Sequence, residues 1–380
     1  MTSPPTSPPV SPPVSLPPME TGLRADRLRA GLAGAGCDAL LVTRLVNIRY
    51  LTGFTGSAGL LLVRADDLVF VTDGRYGEQA AEQLGAAGVR AAIEVSTTMT
   101  GQQAALEAAA RGVRRLGLEA ESVTWAQQRR FASDWFPETG LVPTAGLVED
   151  LRRVKDPGEA ARVEAAAAAA DHALAAVRPM LAERPEEREV ALALEVEMRR
   201  AGASGPSFET IVAAGPNGAK PHARPSSRRI ERGELVVIDF GAVIDGYCSD
   251  MTRTVSVGEP TSATARRMVD VVVASQRAGV AAVAAGVTGK AVDEACRAVI
   301  AEAGWADAFL HGTGHGVGLE IHEAPRVSSG STDTLAPGHV VTVEPGVYLP
   351  AEGGVRIEDT VIVTDDGCSP LTHAPKDLVI

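Results

Sequence analysis

The stretch ELVVIDFGAVIDGYCSDMTRTVSV, residues 234–257, decides how the second half of the chain folds. Two apolar, β-branched runs flank Asp245-Gly246, a pair that favours the tight turn of a two-residue hairpin because both residues tolerate positive φ. Inside the strands stand Asp239, which follows the apolar run from Leu235 to Ile238, and Asp250. Aspartate is depleted in strands, so each needs a reason. The two are eleven residues apart, and across a two-residue turn an odd separation places both on one face of the hairpin. With Asp245 and Gly246 at the centre of the turn, the carboxylates are diagonal neighbours. With the register moved one position toward the N-terminus, they sit directly opposite. Either register forces two like charges together beside an apolar strand, which is destabilising unless a cation neutralises them. A hairpin whose second aspartate faces water is the plain alternative.

The rest of the chain favours the cation. HVVTVEPGVYL, residues 339–349, carries Glu344 after a β-branched run, and GVRIEDTVIVT, residues 354–364, carries Glu358 in a similar setting. Both read as carboxylates inside otherwise apolar strands, with edge-strand glutamates in water as the alternative. Strand alternation points Asp359 the other way, as a solvated neighbour. HGTGHGVGLEIHE, residues 311–323, gathers His311, His315 and His322, three of the chain's seven histidines, among four glycines. Core filling plus a flexible loop is the plain reading of any one of them. Taken together, Asp239, Asp250, His315, Glu344 and Glu358 supply four carboxylates and one imidazole, and two divalent ions would balance the four negative charges. An oxygen-rich set without thiolates suits manganese, cobalt, iron or zinc better than copper, and disfavours structural zinc. Two such ions share a water, lower its pKa and hold an attacked carbonyl, which is the equipment of a hydrolase.

A chain of 380 residues has room for two domains. Its 45% hydrophobic and 22% charged content is that of a globular protein, and no apolar run approaches the length of a membrane span. The net charge of −12 disfavours nucleic acid and anionic membrane as partners and suits a cationic ligand such as a free amino terminus. The four cysteines, Cys37, Cys248, Cys296 and Cys368, form no C-x-x-C pair, which points to a reducing, cytoplasmic setting. Residues 1–18 hold eight of the 24 prolines and no charge. They read as a disordered or polyproline II tail without the features of a secretory signal. Residues 19–150 alternate helix-like and strand-like pieces, an α/β domain. Asp156-Pro157 with Glu159 opens a long alanine-rich helix, and the domain boundary is placed just before it. Residues 151–380 mix helices near 157–180, 186–203, 262–285 and 289–303 with strands and hairpins, an α+β domain.

At these residues the chain resembles the metallopeptidase family that holds methionine aminopeptidase, aminopeptidase P and prolidase, with its pita-bread catalytic fold. VIDFG, SDMTRT, HGTGHGVG, TVEPG and RIEDT run in the family's ligand order, Asp, Asp, His, Glu, Glu. The resemblance implies that Asp239, Asp250, His315, Glu344 and Glu358 hold two divalent ions, Mn2+ first, with Co2+ or Zn2+ as alternatives. SFETIVAAGPNGAKPHARPS, residues 207–226, resembles the Xaa-Pro group. That likeness implies that His222 moves a proton or holds substrate, that His311 and His322 line the pocket around the substrate's proline and carbonyl, and that Arg356 orders Glu358 or the substrate. Glu344 would act as general base or proton shuttle while ligating. NIRYLTGFTGSAGLLLV, residues 47–63, and FVTDGRY, residues 70–76, resemble the N-terminal domain of aminopeptidase P, prolidase and creatinase, which implies a homodimer. Creatinase shares the fold but lacks the ligands that are all present here.

The implied reaction is hydrolysis of the bond between a first residue and a proline, in a peptide substrate with proline at the second position. Aminopeptidase P is the expectation, from the PNGAKPHARP form and the small N-terminal domain. A prolidase confined to dipeptides is the alternative, and a non-catalytic peptide-binding module of the same fold is a third reading. His172, His339 and His373 have no motif around them and read as structural or surface residues.

Overall fold

The structure, a computed structural model, describes residues 15–380. The proline-rich tail expected over residues 1–18 lies outside the described residues as far as position 14. Two compact units divide the chain, one of Pro18–Arg152 and one built on Arg153–Ile380.

The first unit is an α/β layer. Strands β1 (Ala39–Val42), β2 (Leu60–Val63), β3 (Leu68–Thr72), β4 (Ala92–Val95), β5 (Arg115–Glu119) and β6 (Gly140–Thr144) form one sheet in the order β4-β3-β2-β1-β5-β6. β1, β2 and β3 are antiparallel neighbours, while β3–β4, β1–β5 and β5–β6 are parallel pairs. The helices of this unit are α1 (Thr21–Leu32), α2 (Leu45–Thr52), α3 (Gly77–Ala86), α4 (Met99–Ala109), α5 (Trp125–Arg130) and α6 (Leu147–Arg153), of which α3 crosses from β3 to β4 and α5 from β5 to β6, as parallel neighbours require. Leu41, Leu62, Val71 and Leu116 from the sheet bury against Leu106, Phe131 and Trp135.

The second unit opens with α7 (Pro157–Val177) and α8 (Glu187–Arg200). Asp156 and Glu159 cap each other's backbone N–H at the start of α7, with Pro157 in the first turn. There follow β7 (Gly205–Pro206), β8 (Ile211–Ala214), β9 (Leu235–Phe240), β10 (Ala242–Ile244), β11 (Tyr247–Cys248) and β12 (Met251–Ser256). Then come α9 (Ala263–Ala282), α10 (Gly289–Glu302), β13 (Gly314–Gly316), β14 (Glu323–Val327), β15 (Val340–Val343), β16 (Gly346–Leu349), β17 (Gly353–Arg356), β18 (Asp359–Thr364) and β19 (Gly367–Pro370). The strands group as β11-β10-β7, β12-β9-β8, β14-β13-β15-β18-β19 and the ribbon β16-β17.

Alternation along these strands sorts core from site. Val236, Ile238 and Phe240 of β9 pack with Met251 and Val255 of β12 into the core under α7 and α8. Asp239 and its cross-strand partner Thr252 therefore face the other side. Val355, Ile357, Val361 and Val363 likewise join the core of α9 and α10, which turns Arg356 and Glu358 away from it.

The hairpin at 234–257 adopts the first of the two registers considered. Ile244 pairs with Tyr247 around Asp245 (φ 43°) and Gly246 (φ 79°), and Thr252 pairs with Asp239, so Asp250 is the diagonal neighbour. The hairpin changes partners midway, β9 and β12 joining β8 while β10 and β11 join β7. Gly241 marks the change: a Cβ there would stand 1.9 Å from the carbonyl oxygen of Ser249. Three expectations need correction, the first being that Asp250 lies in the break between β11 and β12 rather than within a strand. Glu344 lies in the break between β15 and β16, and Glu358 in the break between β17 and β18, not within strands. Period-2 alternation does not reveal where a ladder stops, although Pro345, which has no N–H to give, marks the break after β15.

Candidate metal centre and substrate cavity

Five side chains from five places in the second unit converge on one cavity of about 640 Å³. Asp239 comes from β9, Asp250 from the residue before β12, His315 from the middle of β13, and Glu344 and Glu358 from the two strand breaks. The glycines of HGTGHG serve a packed strand rather than a flexible loop. A Cβ on Gly314 would meet the Thr342 carbonyl oxygen at 2.0 Å, so only glycine lets β13 lie against β15 there.

His315 sets the chemistry. Its Nδ1 lies 3.1 Å from the Gly316 carbonyl oxygen, which can only accept. Nδ1 therefore carries the proton, and Nε2 presents a bare lone pair. That Nε2 is 3.5 Å from Asp250 Oδ2 and 3.5 Å from Glu344 Oε1. Burial, with His322 nearby, pushes the His315 pKa down to about 3, so the imidazole carries no second proton. The carboxylates cannot relieve the crowding as anions either. Burial first, then the neighbouring charge of Asp239, raises Glu358 to about 8. Burial and the surrounding carboxylates also raise Asp250 and Glu344 well above the usual range.

Thr252 Oγ1 donates to Glu358 Oε2 at 2.7 Å, and Arg356 Nη2 donates to Asp239 Oδ2 at 2.5 Å. The other oxygens of this pair of carboxylates, Asp239 Oδ1 and Glu358 Oε1, are buried without a hydrogen-bond partner among the described residues. Asp250, His315 and Glu358 each offer a ligand atom within 4.8 Å of the others. Buried oxygens without partners, mutually repelling carboxylates and a bare imidazole nitrogen fit a cationic metal.

The remaining residues singled out in the sequence border the same cavity. His311 belongs to a directional hydrogen-bond chain. Arg356 Nη1 donates to Tyr348 Oη at 2.8 Å, and Tyr348 Oη lies 2.8 Å from His311 Nε2. His311 Nδ1 lies 2.8 Å from the Gly312 carbonyl oxygen, so Nδ1 donates and the tyrosine hydroxyl donates to Nε2. Burial and the Arg356 charge hold His311 neutral, with a pKa of about 4. His322 is exposed and meets the His315 ring edge-on at 4.4 Å between centroids. His222 is also exposed, on the turn after the short helical stretch Gly215–Asn217.

Sequence reasoning missed two residues at the site: Tyr348, which bonds to residues of the cavity lining, and Arg326, which is part of that lining. Tyr348 links His311 to Arg356 from β16, and its only signal was an aromatic in an alternating strand. Arg326 lines the cavity from β14, and its guanidinium has no hydrogen bond or ion pair among the described residues. Its signal was a cation four residues beyond His322.

Asp359 is also corrected. It is buried, not solvated, and points toward α9, as alternation required. Arg253 Nη2 at 2.9 Å, Lys376 Nζ at 2.6 Å and Gln276 Nε2 at 2.9 Å all donate to it. Although burial opposes the charge, Arg253 and Lys376 hold its pKa below the usual value. Of the histidines without motifs, His339 is buried, whereas His172 and His373 are exposed.

Residues 161–365 match the model of metallopeptidase family M24, and residues 24–154 match that of the creatinase/prolidase N-terminal domain. An uncharacterized peptidase of Bacillus subtilis is 42% identical over 360 residues, covering 94% of this chain and 100% of its own. The structure of an Xaa-Pro dipeptidase from Bacillus anthracis superposes with a TM-score of 0.90 at 39% identity, over 95% of this chain and 100% of that one. The structure of an X-Pro aminopeptidase from Thermotoga maritima does so with a TM-score of 0.84 at 34% identity, over 94% and 100%. No helix among the described residues is long and apolar enough to cross a membrane.

Proposed function

The chain belongs to metallopeptidase family M24, and on that premise we propose that it is a two-metal Xaa-Pro aminopeptidase that releases the first residue from peptides with proline second. It is a hydrolase, and its relatives are prolidases and aminopeptidases P. The observation that carries the reading is the bare Nε2 of His315 facing the buried carboxylates of Asp250 and Glu344 at 3.5 Å. In this proposal Asp239, Asp250, His315, Glu344 and Glu358 hold two divalent ions, with manganese preferred to cobalt or zinc by the oxygen-rich donor set. When bound, the ions supply Lewis acidity and a nucleophilic water at neutral pH.

The chain's own residues do the rest. Arg356 offsets the charge of Asp239 and, through Tyr348, fixes the ring of His311 against the cavity. With both nitrogens engaged, His311 shapes the pocket rather than trading protons. The scissile nitrogen of an Xaa-Pro bond is a tertiary amide without an N–H, so it leaves only after gaining a proton. Glu344, on the cavity wall, can take a proton from water at Oε1 and pass it to that nitrogen. Exposed His222 and His322, both on the cavity, contact the peptide.

A cavity of about 640 Å³ is larger than a dipeptide needs and falls in the range that encloses drug-sized ligands, which supports the aminopeptidase. One observation favours the dipeptidase instead. The guanidinium of Arg326, unpaired among the described residues, could take the free carboxylate of an Xaa-Pro dipeptide. The free cysteines support a cytoplasmic setting, and the creatinase-like first unit supports a homodimer. The deciding experiment is product release by Mn2+-reconstituted protein from Ala-Pro, Ala-Pro-Ala and a longer peptide with proline second, with Met-Ala-Ser as control. Cleavage of the longer peptides is expected. Cleavage of Ala-Pro alone would establish the dipeptidase, and cleavage of none with Mn2+, Co2+ or Zn2+ would end the Xaa-Pro reading.

A further inference from the structure

Helix α10 lies against the segment that leads into β13, and two of its side chains, one turn apart, grip that segment at three points. Asp293 is fully buried. Its Oδ1 accepts from the backbone N–H of Thr313 at 3.2 Å and from Thr313 Oγ1 at 2.8 Å. Its Oδ2 accepts from Arg297 Nε at 2.7 Å. Arg297 then spends its other nitrogens on two carbonyls, Phe309 O at 3.2 Å and His311 O. Its guanidinium also lies 4.2 Å over the Phe309 ring, and that ring meets His311 edge-on at 5.1 Å. The hold extends further, because the carbonyl of Thr313 accepts from the backbone N–H of Glu344 at 2.7 Å. One helical pair thus fixes residues 309, 311 and 313, and through them a cavity imidazole and a cavity carboxylate.

A charged pair is an expensive way to pack a helix. Taking the Asp293 carboxylate out of water is costly, and apolar residues of similar size usually hold a helix as well. Directional hydrogen bonds to chosen carbonyls and N–H groups are what the charged pair offers in addition. Such bonds matter most where a side chain must be held to a fraction of an ångström, as behind a metal ligand or a substrate contact.

We infer that Asp293 and Arg297 are positioning residues for the peptidase reaction, Arg297 setting His311 and Asp293, through Thr313, setting Glu344. The inference rests on the Xaa-Pro reading above. The two residues act at different points, so their loss has different signatures. Arg297→Met keeps an unbranched stem against Phe309 but removes the donors to Phe309 and His311. It is expected to lower kcat/KM on Ala-Pro and Ala-Pro-Ala by about 10–100-fold, the range for residues behind a ligand, with Mn2+ retention unchanged. Arg297→Lys restores a cation with fewer directed donors and recovers part of the loss. Asp293→Asn weakens the anchor of Thr313 and so is expected to shorten Mn2+ retention against EDTA by about 10–100-fold as well. Thr313→Val, close to isosteric, tests the same link if Asp293→Asn does not fold.

Steady-state kinetics, metal content by mass spectrometry and melting temperature would be measured on the metal-loaded full chain. Ile300→Val, a core change on the same helix, serves as the stability control. If Arg297→Met stays within about twofold of wild type, or loses no more activity than Ile300→Val at a matched melting temperature, the helix pair is only structural and the inference fails. If the unaltered protein cleaves neither peptide, the Xaa-Pro reading fails instead, and Mn2+ retention in Asp293→Asn and Thr313→Val still decides the role of Asp293.

Discussion

Glu358 and Asp359 are adjacent in sequence and both buried, yet their environments push their protons in opposite directions. On the face toward α9, Asp359 meets Arg253 and Lys376 and is held ionised. On the opposite face, Glu358 shares a cavity with Asp239, Asp250 and Glu344, four carboxylates of which, among the described residues, only Asp239 is ion-paired to an arginine, Arg356, and its pKa rises to about 8. Burial penalises both charges. What separates them is whether the fold brings its own cations. Where it does, the carboxylate belongs to the structure. Where it does not, the carboxylate is left open to a cation from outside, and that shortage of paired cations is the electrostatic mark of the candidate metal centre.

The sharpest way to break this comparison is to neutralise each side chain in metal-free protein. Asp359→Asn leaves the guanidinium of Arg253 buried without its carboxylate, and loss of one partner of a buried pair costs about 3–5 kcal/mol. Urea unfolding is expected to show that loss with or without metal. Glu358→Gln removes one of four crowded acids, so the metal-free protein should be as stable as the parent or more so, while the gain from added Mn2+ shrinks. Equal destabilisation by both substitutions would show that the two faces do not differ as described.

A pH series reads the same difference without mutation. Glu358 is raised from 4.5 to about 8, and Asp250 and Glu344 are raised too. The folded state therefore binds protons that the unfolded chain has released, and this stability, full below pH 4.5, is lost as pH rises through about 8. His311 and His315 are lowered from 6.5 to about 4 and about 3. Their contribution is present above pH 6.5 and lost on acidification, so it opposes the carboxylates below that point. Between pH 6.5 and 8 only the carboxylates change, and the metal-free protein is expected to lose stability across that window. Bound metal competes with those protons, so Mn2+ should flatten or reverse the slope. Urea midpoints at three pH values in EDTA and in Mn2+ measure it, and a flat metal-free profile would contradict the crowded-carboxylate account.

The site was more legible in the sequence than its support. Asp239 and Asp250 could be paired because Asp245-Gly246 fixes a turn and alternation carries the register outward. Both are local rules. The convergence of His315, Glu344 and Glu358 followed from residue chemistry and from likeness to a known order of ligands. Asp359 was misread as solvated because its partners come from positions 253, 276 and 376, which no local pattern links to it. Tyr348 and the Asp293–Arg297 pair escaped for the same reason: their meaning lies in contacts with segments distant in the chain. In the first unit, β4 and β6 are short strands, largely exposed or half-buried, and present no apolar period for the sequence to show.

The smallest expected effect separates the two cations of Asp359. Lys376 Nζ is 2.6 Å from Asp359 Oδ2 but about a third exposed, whereas Arg253 is almost wholly buried and also donates to the carbonyls of Thr252, Glu358 and Ala374. Water competes for the lysine ammonium and screens its attraction, so Lys376→Ala should cost about 1 kcal/mol or less. Arg253 remains as the larger influence on Asp359. If the imbalance of cations between the two faces is what matters, Lys376→Ala keeps that imbalance and leaves Mn2+ affinity unchanged within about twofold. A titration of metal-free Lys376→Ala with Mn2+, set beside its urea midpoint, reads both quantities. A loss of affinity well beyond the loss of stability would mean that the C-terminal segment supports Glu358 directly, and that the two faces are coupled rather than opposed.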